Sequence, residues 1–400
     1  MEKFVLEPAR KTELKSEYDV IVAGGGFAGI SAALSAKRAG AKRVLLIERE
    51  YMLGGLATMG LINLYLPLCD GRGHQVSFGI AEELIKLSVS RGADTPIPQE
   101  WQSPSSPDER AKKRYRSKFN SNVFAILAEQ LLIAESVDIL YGTLVCGAVT
   151  DGDCISSLIC ENKSGRMAYG TKSVVDATGD SDICLLSGED TVLFSKGNVL
   201  SGWYYSLENG VNTLHKLGPA DIPDSEKTQK QLELEKSSRR YYGTDGDSLS
   251  EMSIASHRLS LDDFLGGGEY GAEHALTAIA AIPQARMTRR IDGVKTVDIC
   301  DDGIEQNDSI GMIGSWRKSG PVYELPFAAL FGRKVKNLFC AGRNISASDE
   351  AWDLTRVIPA CAVTGEAAGL GAALGRDAQK VQSVLIDRNI KLHIKDLQMN

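Results

Sequence analysis

Residues 18–48 read YDVIVAGGGFAGISAALSAKRAGAKRVLLIE, and their order decides the fold. Tyr18–Ala23 is a short apolar run, the pattern of a strand buried on both faces of a parallel sheet. Gly24-Gly25-Gly26-Phe27-Ala28-Gly29 follows with G-x-G-x-x-G spacing. Ile30–Ala39 is alanine-rich and helical, and Gly40 ends it as a C-cap. Arg43–Ile47 is a second strand, closed by Glu48. Strand, glycine turn, helix and strand form one βαβ unit. In such a unit Gly24 permits the tight turn, Gly26 lets the backbone approach a pyrophosphate, and Gly29 lets helix and strand pack closely. Phe27 and Ala28 lie within the turn, and the N-terminus of the helix after it, with free N–H groups and partial positive charge, suits phosphate. Glu48 lies 19 residues beyond Gly29, where a carboxylate holds the ribose hydroxyls of an adenine dinucleotide.

The surrounding composition is that of an ordinary globular chain. It has 400 residues, 43% hydrophobic and 24% charged, enough for two or so domains. A net charge of −7 excludes the general basic field of a nucleic-acid binder and argues against an anionic membrane partner. The eight cysteines form no C-x-x-C pair, so neither a zinc ribbon nor a dithiol redox motif is supported. They read as reduced core thiols, and no metal is expected. The charged N-terminus lacks an apolar signal segment, and Val357–Leu374 carries Glu366 and glycines, so it reads as a buried helix. The expected location is the cytoplasm.

The chain divides into a polar tail (1–16), the first part of a dinucleotide-binding domain (17–190), an inserted domain (191–325), a return to the first domain (326–376) and a C-terminal extension (377–400). Residues 93–118 are a proline-marked loop excursion. It ends in Lys112, Lys113, Arg114, Arg116 and Lys118, which read as a solvated face or, alternatively, as a site for a phosphate-bearing partner. Asn122–Ser136 predicts a helix. Asp138–Val149 and Cys154–Glu161 predict strands joined by a hairpin turn at Asp151-Gly152. Ser173–Ala177 and Asn337–Ala341 predict two more. A second glycine run, Gly266–Gly271, follows no convincing strand; it reads as a loop before a helix over 272–281.

Three further stretches extend the dinucleotide motif: Leu53-Gly54-Gly55-Leu56-Ala57-Thr58, Val174–Asp180, and Leu338–Arg343 followed by Thr355-Arg356-Val357. Together with the glycine turn they resemble, in this order, the FAD-dependent oxidoreductase family of the glutathione-reductase superfamily, relatives of the fumarate reductase and succinate dehydrogenase flavoproteins. The resemblance covers roughly 18–190 and 280–375. It implies an α/β chain: a Rossmann-like FAD-binding domain with an inserted mixed α+β substrate domain. It implies that Gly24, Gly26 and Gly29 hold the pyrophosphate, Glu48 the ribose, and that Arg49 lies near the adenine. By the same resemblance Gly54, Gly55 and Thr58 pass the phosphates and ribityl chain. Val145 presents its backbone to the adenine, and Thr178, Gly179 and Asp180 close the second side. Gly342 and Arg343 lie near the ribityl and pyrophosphate. The helix from Ile358 aims its N-terminus at the flavin pyrimidine edge, with Arg356 adding a positive charge; reduced flavin is anionic there. For Arg343 and Arg356 the alternative is pairing with carboxylates of their own chain.

Arg286-Met287-Thr288-Arg289-Arg290-Ile291 resembles a segment recurrent in this family. On a strand Arg286 and Arg290 share a face. They read either as an anion clamp above the flavin or as interdomain ion-pair partners. The resemblance implies a histidine four residues before Arg356, but Trp352 stands there, so His74 becomes a substitute acid–base candidate. The expected activity is hydride transfer between a small organic substrate, such as a carboxylate, and flavin N5. The alternatives are an NAD(P) dehydrogenase without flavin, and a flavin-bearing subunit serving an electron-transfer partner. A homo-oligomer remains open.

Overall fold

The computed structural model describes residues 4–219, 224–268 and 270–397. Met1–Lys3 of the polar tail, residues 220–223 of the inserted domain, Glu269 of the second glycine run and the last three residues of the C-terminal extension lie outside them.

Strand β1 (Glu13–Ala23), helix α1 (Phe27–Arg38) and β2 (Val44–Ile47) form the βαβ unit in the predicted order. Val20, Ile21 and Val22 are fully buried, as a strand covered on both faces requires. The strand starts earlier than its apolar run. Residues from Glu13 pair with a long strand beside it, so part of the polar tail is held by backbone bonds that composition does not report.

The chain then makes β3 (Leu64–Tyr65), α2 (Ile80–Val89), β4 (Ala93–Thr95), α3 (Pro107–Ala111) and β5 (Ser117–Phe119). β3, β5 and β4 form a small antiparallel sheet, so the excursion at 93–118 is partly ordered structure. Helix α4 (Ser121–Ala134) leads to β6 (Asp138–Leu140), and the meander β7 (Leu144–Asp151), β8 (Cys154–Asn162) and β9 (Gly165–Asp176) follows. The single strand predicted over 138–149 is two, broken at 141–143. The turn at Asp151-Gly152 is as predicted, with Asp151 opposite Cys154.

Helix α5 (Asp182–Ser187) precedes the stretch expected as an inserted domain (191–325), which opens with β10 (Thr191–Leu193). There β11 (Gly202–Glu208) and β12 (Val211–Leu217) pair, followed by α6 (Gln229–Glu233), α7 (Gly246–Gly266), β13 (His274–Ile279) and β14 (Arg289–Ile291). The helix expected at 272–281 is strand β13. Its alanines favour helix locally, but the segment hydrogen-bonds along the open edge of β11, and tertiary pairing overrides propensity. The second glycine run ends helix α7 rather than following a strand, so it lacks the context of a phosphate loop.

The chain continues through β15 (Ser309–Gly314), β16 (Val322–Pro326), β17 (Leu338–Cys340), α8 (Asp349–Thr355), α9 (Ile358–Leu374) and α10 (Ala378–Asp387). The main sheet has the order β6-β2-β1-β9-β8-β7, with β17 also pairing β9. β6, β2, β1, β9 and β17 run parallel. The register sets Ile47, Ala23, Asp176 and Cys340 side by side, so four loops leave the sheet at one carboxyl edge. Ligands of open α/β sheets bind at such an edge.

Helix α9 is the buried helix expected from its composition. It lies along α1 at very short range: a Cβ on Gly365 would sit 2.3 Å from the Ala28 carbonyl oxygen, and one on Gly369 2.2 Å from that of Ala32. Among the described residues no single helix is long and apolar enough to cross a membrane. The pair α8 and α9 passes by composition only when taken together, and it bends by 87°.

Candidate functional site

Helix α1 begins without a side-chain cap, so its first-turn N–H groups are left for a ligand. The turn before it is glycine by necessity. Gly24 has φ +104°, and a Cβ there would meet the Ala177 carbonyl oxygen at 2.3 Å; one on Gly29 would meet the Gly24 carbonyl oxygen at 1.8 Å. A Cβ on Gly26 would meet no protein atom within 4 Å. Gly24 and Gly29 are therefore required by packing, whereas Gly26 faces open space.

Glu48, buried at the end of β2, accepts hydrogen bonds from the Gly25 amide at 2.6 Å and the Glu50 amide at 2.9 Å. Burial raises its pKa, and those two amides oppose the rise. The third loop is organised by Asp176, a fully buried carboxylate at the end of β9. It accepts from Thr178 Oγ1 at 2.6 Å, the amides of Ile183 and Cys184 at 2.9 and 3.1 Å, and Asn344 Nδ2 at 3.0 Å. One side chain thus pins both the 177–183 loop and the loop after β17. Nothing in its spacing distinguishes it; a buried acid before Thr-Gly-Asp was the available signal.

A single cleft runs along these loops. Of the residues expected at the cofactor, Gly24, Gly26, Phe27, Ala28, Glu48, Arg49, Gly54, Gly55, Val145, Thr178, Gly179, Asp180, Arg343 and Ile358 line it, as does Arg356. Gly29, Thr58 and Gly342 do not. Gly29 acts through helix packing, Thr58 Oγ1 hydrogen-bonds to the Leu53 carbonyl at 2.7 Å, and the Gly342 amide donates to Thr364 Oγ1 at 3.0 Å. They shape the loops from behind. The sequence reading missed Met59, Gly243, Leu249, Ile282 and Cys361, which also line the cleft. Gly243 and Leu249 come from the inserted region, where no motif marks them.

Arg343 pairs with Asp180 at 2.6 Å and donates to the Gly179 carbonyl at 2.8 Å. The own-chain alternative therefore holds for it, although it still lines the cleft. Arg356 pairs with the fully buried Asp353, which also faces Arg317 at 3.3 Å. In the same cleft α9 starts at Ile358 with no side-chain cap, next to Arg356 and Cys361. Burial pushes the Cys361 thiol up to about 12, so it is not a nucleophile at neutral pH.

Three expectations about substrate groups need correction. Arg286 and Arg290 do not line the cleft, and only Arg289–Ile291 is strand, so a strand face does not align the two. Arg286 stacks over Trp203 at 5.6 Å; Arg290 donates to the Ile291 carbonyl and to Ser346 Oγ at 3.0 and 3.2 Å. His74 also lies off the cleft. Asp70 holds its Nδ1 at 2.9 Å and its backbone amide at 3.0 Å, which makes it a loop fastener. Among the described residues, Asp176, Cys184 and Cys340 come within reach of one another as potential metal ligands. The carboxylate there already serves its own loop donors, and the two sulfurs lie 3.2 Å apart.

A model of the FAD dependent oxidoreductase family matches residues 19–252 and 309–398, and the chain belongs to that family. It is an oxidoreductase with FAD as cofactor. No curated protein matches significantly. Among solved structures, the chain resembles Sdh1 of Mycobacterium smegmatis in its apo form (13% identity, 94% of this chain and 72% of that one, TM-score 0.49). It also resembles a geranylgeranyl bacteriochlorophyll reductase-like protein from Thermoplasma acidophilum (14%, 93% and 84%, TM-score 0.48). A flavocytochrome c3 fumarate reductase is similar at 15% identity over 91% of this chain and 79% of that one, with TM-score 0.41. The family match, not these distant likenesses, carries the assignment.

The cleft fits FAD. An uncapped helix N-terminus and open space at Gly26 would admit a pyrophosphate, and the buried Glu48 carboxylate would serve a ribose hydroxyl. A second uncapped helix N-terminus, that of α9, lines the same cleft beside the Arg356 guanidinium.

Proposed function

We propose that the chain exchanges hydride between FAD and a small organic substrate that reaches the cleft beside Arg356. Bound FAD supplies the two-electron, hydride-accepting centre. The glycine turn and the α1 N-terminus bind its pyrophosphate, Glu48 its adenosine ribose, and the α9 N-terminus its pyrimidine edge. This is a Rossmann-type use of the carboxyl edge of the sheet.

The carrying observation is that one cleft is lined by two uncapped helix N-termini, those of α1 and α9, with Arg356 beside the second. A fixed positive field there stabilises negative charge that develops during reduction. Asp353 keeps the Arg356 guanidinium in place, and Met59, Leu249 and Ile282 form apolar walls that exclude water. The reading is tested by Arg356→Ala. FAD occupancy should stay near wild type, while the rate of flavin bleaching by substrate under anaerobic conditions falls about a hundredfold, the usual cost of one electrostatic donor. Unchanged bleaching would remove Arg356 from the chemistry.

A further inference from the structure

Arg356 is the cleft end of a line of charges that runs back into the stretch expected as the inserted domain. Asp353, on α8, is fully buried and binds Arg356 through Oδ1. Its other oxygen, Oδ2, lies 3.3 Å from Nη1 of Arg317. The same Nη1 lies 3.3 Å from Oε2 of Glu226, in the short turn Asp224–Glu226. Glu226 is partly exposed and also faces Lys318 at 3.5 Å. The order is therefore Glu226, Arg317, Asp353, Arg356, with alternating charge. Of the four, Arg356 alone lines the cleft.

The loop between β15 and β16 carries Arg317 and holds it in place; the side chain is only 7% exposed. Trp316 Nε1 donates to the Asp353 carbonyl at 3.2 Å, so two successive loop residues grip the backbone and the side chain of Asp353. Arg114, from the basic run at 112–118, donates to the Ser315 and Trp316 carbonyls at 3.1 and 2.9 Å and anchors the loop from behind. A buried carboxylate shared by two guanidiniums is a poor way to gain stability, because apolar side chains of similar volume serve a core as well or better. Here the arrangement has an electrostatic consequence. Arg317 and Arg356 take opposite oxygens of one carboxylate. Arg317 thus draws on negative charge that lies against Arg356, and it adds a positive charge behind it. Buried charges of this kind are little screened by salt.

We propose that Arg317 is a positioning residue for the flavin chemistry: through Asp353 it sets the place and the field of the Arg356 guanidinium, and thereby the reduction potential of bound FAD. It rests on the reading of Arg356 as the positive charge beside the flavin. Arg317 itself touches neither the cleft nor its contents. Glu226, at the outer end, works against it, because its carboxylate competes with Asp353 for the same guanidinium nitrogen. Positive charge near the pyrimidine edge favours the anionic reduced flavin, so each member of the line has a sign that an experiment reads.

The test is the reduction potential of the FAD-loaded protein, read anaerobically against a reference dye. The proteins are wild type, Arg317→Gln, Arg317→Lys, Glu226→Gln, Arg356→Ala, and Arg317→Gln combined with Arg356→Ala. Arg317→Gln should lower the reduced-to-oxidised ratio at fixed potential about tenfold, which is about 30 mV for a two-electron couple. Arg317→Lys keeps the charge and should restore most of that shift. Glu226→Gln removes the competing carboxylate and should move the potential the opposite way, which a merely loosened fold does not do. In the Arg356→Ala background Arg317→Gln should shift the potential less, because the residue it acts through is gone. A wild-type potential in Arg317→Gln, or an equal shift with and without Arg356, overturns the proposal. Where Arg317→Gln does not fold, Glu226→Gln decides: an unchanged or lowered potential there overturns it as well. Failure of the underlying reading looks different, since Arg356→Ala then also leaves the potential at the wild-type value.

Discussion

The Glu48 carboxylate accepts the Gly25 amide at 2.6 Å, which ties the acid that ends β2 to the glycine turn that follows β1. The two features arise 23 residues apart in the chain and meet only because β1 and β2 run parallel in register. Glu48→Gln keeps the shape and removes the charge. Hydrogen bonds to a charged group contribute about 1.5–3 kcal/mol, so the FAD dissociation constant should rise by roughly ten- to a hundredfold. Fluorescence titration of the apoprotein with FAD measures it, and an unchanged constant would take Glu48 off the ribose.

Asp182 gives a pH signature. Burial, with Asp180 and Asp176 adding to it, raises its pKa from an ordinary 3.8 to about 6, against the pull of Arg289. The folded state therefore keeps a proton between about pH 4 and 6 that the unfolded chain has released. The stabilising contribution of this group is complete below pH 3.8 and is lost as pH rises through about 6. Denaturant midpoints across this range should fall less steeply in Asp182→Asn than in wild type. Identical pH slopes would mean that Asp182 titrates normally.

Helix packing gives a purely structural prediction. The Ala32 carbonyl oxygen leaves no room for a methyl group at Gly369. Gly369→Ala should destabilise the protein by about 1–3 kcal/mol, the usual cost of overpacking a core, seen as a lower denaturant midpoint at unchanged slope. A wild-type midpoint would show that the α1–α9 contact is looser than described.

The parts of this molecule legible in sequence are those whose signal is local. The strand, glycine turn, helix and acid of residues 18–48 each carry their own chemistry, and all line up as read. The Asp151-Gly152 hairpin and the buried helix at 358–374 are local in the same sense. The missed features are set by distant partners. β13 is a strand because β11 offers it an edge. His74 is a fastener because Asp70 lies beneath it. Arg286 turns to Trp203, a residue over eighty positions earlier, and no periodicity around Arg286 announces that ring. Gly243 and Leu249 reach the cleft from a region where neither spacing nor composition marks a site.

Two glycines at the start of α1, Gly26 and Gly29, separate folding from binding. Gly29→Ala should prevent the α1–β1 contact and yield little folded protein, because its Cβ has no space. Gly26 has space, and its substitution should spare the fold.

The most direct measurement is therefore the visible absorption spectrum of purified wild type and Gly26→Val, each saturated with FAD and then desalted. Flavin bands on wild type, together with a folded but colourless Gly26→Val, are the result this account predicts. Wild type that retains no flavin, or a variant that retains as much as wild type, would contradict the placement of FAD in this cleft.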